Sequence, residues 1–416
     1  MNTENMPSAN CIFNKLYMKI LNLAFIYPVM VVLILVSVLI FAISCKKEDL
    51  PEPLPIAYPV PEFYSSIAAG LNHSIALEPD GTLWAWGDNY YGQLGDSTLS
   101  FTRCPVRIDS GFSAIAAAGS IFTQVIWVEM TTPIGHSMAL KEDGTLWAWG
   151  ANHFGQLGKD ISDDNRIPAQ IGADFVVVAT GSSHAMGVKA DGTLWAWGNN
   201  SLGQFGDGTT VNRYLPTRVG EGYVSISVGY GHTLALKTDG TLWAWGNNYS
   251  GQLGDGTMVN KTSPCQIGTD FTVISAGADH SLALKSDGTL WAWGSNAFGQ
   301  LGDGSIIDKN IPVLIGSDYT VIAGGGKHSL GLKSDDTLWA WGSNTYGQLG
   351  DGTMVDKHMP VQIGTDFMSI AGGGEHSLAL KTDGTIWAWG NNSSGQLGVG
   401  QSSIENELSP KHIGNE

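Results

Sequence analysis

The chain has 416 residues, 43% hydrophobic and 14% charged, with 55 glycines and 4 cysteines. Its net charge is −17, and since the first 44 residues hold only Glu4, Lys15 and Lys19, the remainder carries −18. A body that acidic repels phosphate backbones and disfavours nucleic acid as a partner, and with so few cysteines a chain of this length builds its core without disulfides.

Residues 20–43 contain no charge, follow Lys15 and Lys19, and run into Ala42-Ile43-Ser44-Cys45 and then Lys46-Lys47-Glu48-Asp49. A basic start, an apolar run and small residues at its exit describe a secretory signal. The exit resembles the bacterial lipobox. That resemblance implies a signal peptide over 1–44 and lipidation of Cys45 as the new N-terminus, which makes the protein a lipoprotein of the outer membrane or cell surface. The charges after Cys45 are similar to the surface-export signal of some Gram-negative lipoproteins. Translation from Met18 instead of Met1 gives a more ordinary signal length. A second reading stands beside this one: at ~1.5 Å per residue the run is long enough to be a single N-terminal transmembrane anchor. Both readings put the rest of the chain outside the cytoplasm. Residues 45–62 hold Pro51, Pro53, Pro55, Pro59 and Pro61, the composition of a stiff polyproline tether.

From residue 63 to 413 the chain repeats itself. DGTLWAWG stands at 80–87, 143–150, 191–198, 239–246 and 287–294, with DDTLWAWG at 335–342 and DGTIWAWG at 383–390. A histidine precedes each copy, at 73, 136, 184, 232, 280, 328 and 376. The last five intervals are 48 residues each; the first is 63, so repeat two carries an insert over 120–134. Repeat six offers four short strand candidates, Thr320–Ala323, His328–Lys333, Thr337–Trp341 and Pro360–Ile363. Apolar residues alternate with small ones there, and an Asp-Gly turn joins the second and third strands. Seven units of four strands predict an all-β, seven-bladed β-propeller. Alternation in L-W-A-W-G puts both tryptophans on one strand face and alanine on the other. The bulky face of one blade then packs on the small face of the next, with all fourteen rings hidden. A carbohydrate platform is disfavoured, because every copy would have to be exposed.

The unit D-G-x-[LI]-W-x-W-G-x-N-x-x-G-Q-[LF]-G, with G-x-x-H-[ST] upstream, resembles the repeat of the regulator of chromosome condensation family. Two departures are visible: repeat two ends GQLGKD, and repeat one lacks the usual approach length to repeat two because of the insert. The resemblance implies a seven-bladed propeller. The family's eukaryotic founder exchanges guanine nucleotides on a small GTPase and binds chromatin. An exported acidic chain fits that activity poorly, so it stands as an alternative. Extracellular bacterial relatives that clamp β-lactamases with one face of loops fit an exported protein better.

Strand order predicts that the first-to-second and third-to-fourth loops share a face, with the Asp-Gly turns on the other. The two positions after a constant Asn in the third-to-fourth loops vary and are rich in rings: Tyr90, Tyr91, His153, Phe154, Tyr249, Phe298 and Tyr346. Such residues on a rigid scaffold are candidate anchors for a protein partner, or else they fill the bases of the loops. The insert adds Phe122, Ile126 and Trp127, either on a projecting hairpin or on extra strand length packed against blade two. The seven histidines fall on separate blades, which favours structural hydrogen bonds over a metal site. G-x-S-x-G, H-E-x-x-H and C-x-x-C are absent, and Gly324-Gly325-Gly326-Lys327 lacks the hydroxyl residue and helix of a phosphate loop. The expected protein is therefore non-catalytic, monomeric and free of cofactor or metal, and binds a protein partner through its loop face. A glycan binder or enzyme using the central channel is the remaining alternative. How the ring closes stays open, since Pro410–Ile413 suits either a clasp on the first unit or the last strand of the seventh.

Overall fold

Strands form where the repeat alternates apolar with small residues, and they stop where glycine recurs. The computed structural model describes residues 64–122, 132–160, 163–400 and 405–414. Seven four-stranded antiparallel sheets, each of four successive strands, form a seven-bladed propeller. Blade one is β1 (Ser66–Ala69), β2 (His73–Leu77), β3 (Leu83–Gly87) and β4 (Thr102–Asp109). Blade two is β5 (Phe112–Phe122), β6 (Thr132–Lys141), β7 (Leu146–Gly150) and β8 (Asn165–Gly172). The predicted strands of repeat six appear as Tyr319–Gly324, His328–Lys333, Leu338–Gly342 and Lys357–Gly364. The first strand of every blade lines the central channel. The signal region, the tether, Ile126 and Trp127 lie outside the described residues.

A hydrophobic cluster fills each seam between blades. Between blades four and five, Leu242, Ala244 and Leu253 meet Phe271, Ile274 and Trp293. The second tryptophan of every pair, Trp86 through Trp389, is fully buried in such a seam. Its indole also donates backwards along the ring: Trp293 Nε1–H reaches the Gln252 carbonyl at 2.9 Å, and Trp341 reaches the Gln300 carbonyl at 2.9 Å. Satisfying the indole proton lets the whole ring be buried without an orphaned donor.

The first tryptophan corrects the expectation that all fourteen rings are hidden. It shares the strand face but sits one residue pair from the turn, where the seam opens to water. Trp147, Trp195, Trp243, Trp291, Trp339 and Trp387 are only half-buried. Each donates its Nε1–H to a threonine two residues earlier, as Trp291 does to Thr289 at 3.0 Å. A lysine covers each ring: Lys285 Nζ stands 5.2 Å from the centroids of both Trp291 and Phe271. In blade one Glu78 replaces that lysine and accepts the Trp84 Nε1–H at 2.8 Å, and Trp84 is buried.

The seven histidines are buried, one per seam. His280 Nε2 lies 2.9 Å from Ser329 Oγ of the next blade, and that hydroxyl donates to the Gln300 carbonyl at 2.7 Å. The serine proton is committed to the carbonyl, so the imidazole must carry its proton on Nε2 and donate it. The same relay joins His73 to Ser137, His232 to Ser281 and His328 to Ser377, and His376 to Ser74 across the closing seam. Two seams lack it. Ala185 takes the place of the serine opposite His136, and Thr233 opposite His184 turns its hydroxyl to the Gln204 carbonyl. Both histidines keep an Nε2 without a partner among the described residues.

The carboxyl end completes its own blade: Glu407–His412 pairs with Ile386–Gly390, the third strand of blade seven. Among the described residues no strand is exchanged across the closing seam, which is held by the contacts of the other seams. Trp86 Nε1 and Ser74 Oγ both donate to the Gln396 carbonyl, at 2.9 and 2.8 Å. Gly400 N–H reaches the Arg103 carbonyl at 3.2 Å, and Tyr64 N–H reaches the Gly384 carbonyl at 2.9 Å.

Candidate partner-binding face

In each blade the second strand begins beside the end of the third, as His73 opposite Gly87 shows. The first-to-second and third-to-fourth loops therefore leave from one end of the sheet, and the Asp-Gly turns from the other. The glycine ending L-W-A-W-G makes this crossing possible. Gly294 has φ +101°, and a Cβ on it would stand 2.7 Å from the Asp279 carbonyl oxygen.

The third-to-fourth loops are stiff because their constant residues bond inwards. Buried Asn248 accepts the Leu253 N–H on Oδ1 at 2.9 Å and donates from Nδ2 to Asp255 at 3.0 Å. Gln252 Oε1 accepts the Ser250 N–H at 2.9 Å. Further on, the Gly256 N–H bonds the Asn310 carbonyl of the next blade at 2.8 Å, and the loops of blades one, three, five, six and seven are strapped to their neighbours in the same way. The two variable positions sit between these anchors. The first is exposed and the second half-buried in all seven loops.

That geometry sorts the candidates. Tyr90, His153 and Tyr249 are exposed, Tyr249 most of all at 70%. Tyr91, Phe154, Phe298 and Tyr346 are half-buried and partly fill the loop bases. The structure joins three of them: Tyr90 and Tyr91 meet edge-on at 4.9 Å, and Tyr91 meets His153 of the next blade at 5.0 Å. Tyr249 stands apart from these. Phe122 ends β5, and of the insert the structure describes a longer hairpin: pairing runs five residues past Ala117↔Ser137, where other blades stop, to Phe122↔Thr132. That extension leaves from the loop face.

Blades four to seven and blade one enclose a pocket of about 660 Å³ on the same face. Phe298 and Tyr346 line it, together with four residues that the sequence reading missed: Tyr230, Asp279, Lys327 and Glu375. The last three occupy one repeat position, just before the histidine, which reads Asn72, Gly135, Ser183, Gly231, Asp279, Lys327, Glu375 along the chain. Variation at that position was the available signal. Burial pushes the Asp279 carboxyl up, against a smaller opposing pull from Lys327. Burial, then Asp279 and Glu375, push the Tyr230 phenol up. The pocket leads toward the central channel, a cavity of about 280 Å³ lined by glycine, alanine, small aliphatic and hydroxyl residues, with Tyr230 at its mouth.

Comparison with known proteins bears on this architecture. A family model described as RCC1-like domain matches residues 120–415, and models of the regulator of chromosome condensation (RCC1) repeat match 64–93 and 80–125. The ultraviolet-B receptor UVR8 of Arabidopsis thaliana is 33% identical over 112 residues, covering 26% of this chain and 22% of that protein. The RCC2 homolog of Xenopus laevis is 34% identical over 123 residues, 28% of this chain and 22% of that protein. The human E3 ubiquitin-protein ligase HERC2 is 31% identical over 118 residues, 27% of this chain and 2% of that protein. The chain thus spans under a quarter of the length of each of these relatives. Among solved structures, yeast RCC1 (Prp20) bound to Kap60 superposes with a TM-score of 0.69 at 23% identity, covering 85% of each chain. Human WBSCR16 gives 0.69 at 22% identity over 80% of this chain and 94% of its own. These structures share the fold.

Proposed function

The chain belongs to the RCC1-like domain family, and from that premise we propose that it is a non-catalytic protein-binding propeller, exported and held at the cell envelope by lipid on Cys45. One observation carries the binding role. The scaffold is nearly identical from blade to blade, whereas the exposed first position of each third-to-fourth loop differs in size and chemistry. Constant loop anchors with variable exposed tips are the arrangement of a recognition surface. Tyr90, Tyr91 and His153 form its most connected aromatic patch. Nucleotide exchange is not carried over, because identity to the solved yeast member is 23% and supports the fold alone.

With the full chain as bait on envelope extract, Tyr90→Ala/Tyr91→Ala/His153→Ala is expected to lose the retained partner at least tenfold at an unchanged melting temperature. Undiminished retention would remove this face. The anchor has its own test: Cys45→Ser is expected to abolish incorporation of a labelled fatty acid, and persistent labelling would overturn the lipid assignment.

A further inference from the structure

We infer that the 660 Å³ pocket on the loop face receives a basic side chain, arginine or lysine, of the protein partner, while apolar neighbours of that side chain rest on the exposed aliphatics of blades five and six. This rests on the protein-binding reading above and names the chemistry of the partner.

Two carboxylates face the pocket, and neither has a cation within ion-pair distance among the described residues. Asp279 accepts from Gln252 Nε2 through Oδ1 at 3.2 Å, and Glu375 accepts from Asn391 Nδ2 through Oε2 at 2.9 Å. Each therefore keeps an uncommitted oxygen. Lys327, the one cation among the described lining residues, is exposed and sets its Nζ 4.7 Å from the centre of the Phe298 ring, which leaves that lining one negative charge in excess. Tyr230 lies deeper, where pocket and channel meet, and its hydroxyl has no hydrogen-bond partner among the described residues. Asp279, Glu375 and Tyr230 line the same pocket, and after burial the two carboxylates push that phenol up. Free carboxylate oxygens and an unpaired hydroxyl are all acceptors for a group with several N–H donors and a positive charge. Tyr346 adds a ring against which a planar guanidinium can lie.

Burial already strains the Asp279 anion, so a counter-charge arriving there is favoured over a neutral sugar. An anionic ligand or an acidic lipid surface would meet the same carboxylates unfavourably. Ile306, Ile307, Met354 and Val355 are exposed on the third-to-fourth loops of blades five and six, the loops whose Phe298, Thr345 and Tyr346 line the pocket. Exposed aliphatics on the same loops that line a charged socket suit a polypeptide that presents one basic residue between apolar ones.

Random twelve-residue peptides displayed on phage, panned on the full chain, test this. Selected peptides are expected to carry arginine or lysine beside apolar residues. Their binding should weaken at least tenfold on Asp279→Asn/Glu375→Gln and tighten on Lys327→Gln, both melting like the parent. Glu375→Gln alone, at a partly exposed position, serves if the double variant does not fold. Selection without basic residues, or equal binding to the carboxylate variants, overturns the cationic socket. Peptides of that kind that still lose binding on the Tyr90→Ala/Tyr91→Ala/His153→Ala variant leave the loop face as a binding surface and remove only its charge preference. No selection on any variant counts against both.

Discussion

Acidification from pH 7 to pH 5 is expected to unfold or severely weaken this propeller through its buried histidines. Burial holds His73, His184, His232, His328 and His376 at about 3 and His136 and His280 at about 4, against an ordinary value of 6.5. The unfolded chain takes up protons on these groups as the pH falls below 6.5; the folded chain takes them up only near 3 to 4. Between those limits the unfolded state binds more protons, so stability drops with pH by up to about 1.4 kcal/mol per pH unit for each histidine. Seven histidines titrating together make the transition steep. Urea denaturation at pH 7, 6 and 5 checks this, together with the number of protons bound on unfolding at pH 5, expected near seven from these groups. Flat stability across that range would mean that the histidines are not sealed in the seams.

Alanine at the two tryptophans of a single pair should give unequal losses. Trp293 is fully buried between blades four and five and donates to the Gln252 carbonyl, so Trp293→Ala is expected to cost about 3–5 kcal/mol. Trp291 lies on the same strand face two residues away, half in water under Lys285, and Trp291→Ala is expected to cost about 1–2 kcal/mol. Chemical denaturation of both variants reads the difference. Equal costs would show that both indoles, or neither, do the work of the seam.

Much of this architecture is legible in the chain before folding. The 48-residue period, the Asp-Gly turns and the alternation of L-W-A-W-G determine the blade count, the strand order and which face carries the indoles. Alternation fixes the face of a residue but not its depth. Trp291 and Trp293 are alike in pattern, and only the opening of the seam toward the turn separates them. Ring closure was undecided for a related reason. Pro410–Ile413 carries a fourth-strand pattern, and the pattern cannot say whose third strand it joins; pairing with Ile386–Gly390 does.

The site was half legible. The variable loop pairs drew attention to Tyr90, Tyr91 and His153, which do converge, since adjacent loops are neighbours in space as well as in the repeat. Tyr249 is exposed away from them. The pocket residues escaped notice because each is a single change within its own repeat. Asp279, Lys327 and Glu375 lie 48 residues apart and meet only because the ring turns three successive blades toward one opening. The relay histidines were read as structural, and the hydrogen bonds to Ser137, Ser281, Ser329, Ser377 and Ser74 supply the reason.

The central claim is that partners meet the face of the variable loops and not the face of the Asp-Gly turns. A bulky polymer attached to a cysteine introduced at Thr345, on the loop face, or at Ser334, on the turn face, in a chain carrying Cys104→Ser and Cys265→Val, compares the two directly. Partner retention should vanish with the polymer on position 345 and persist with it on position 334. Retention that survives the first and fails with the second would contradict it.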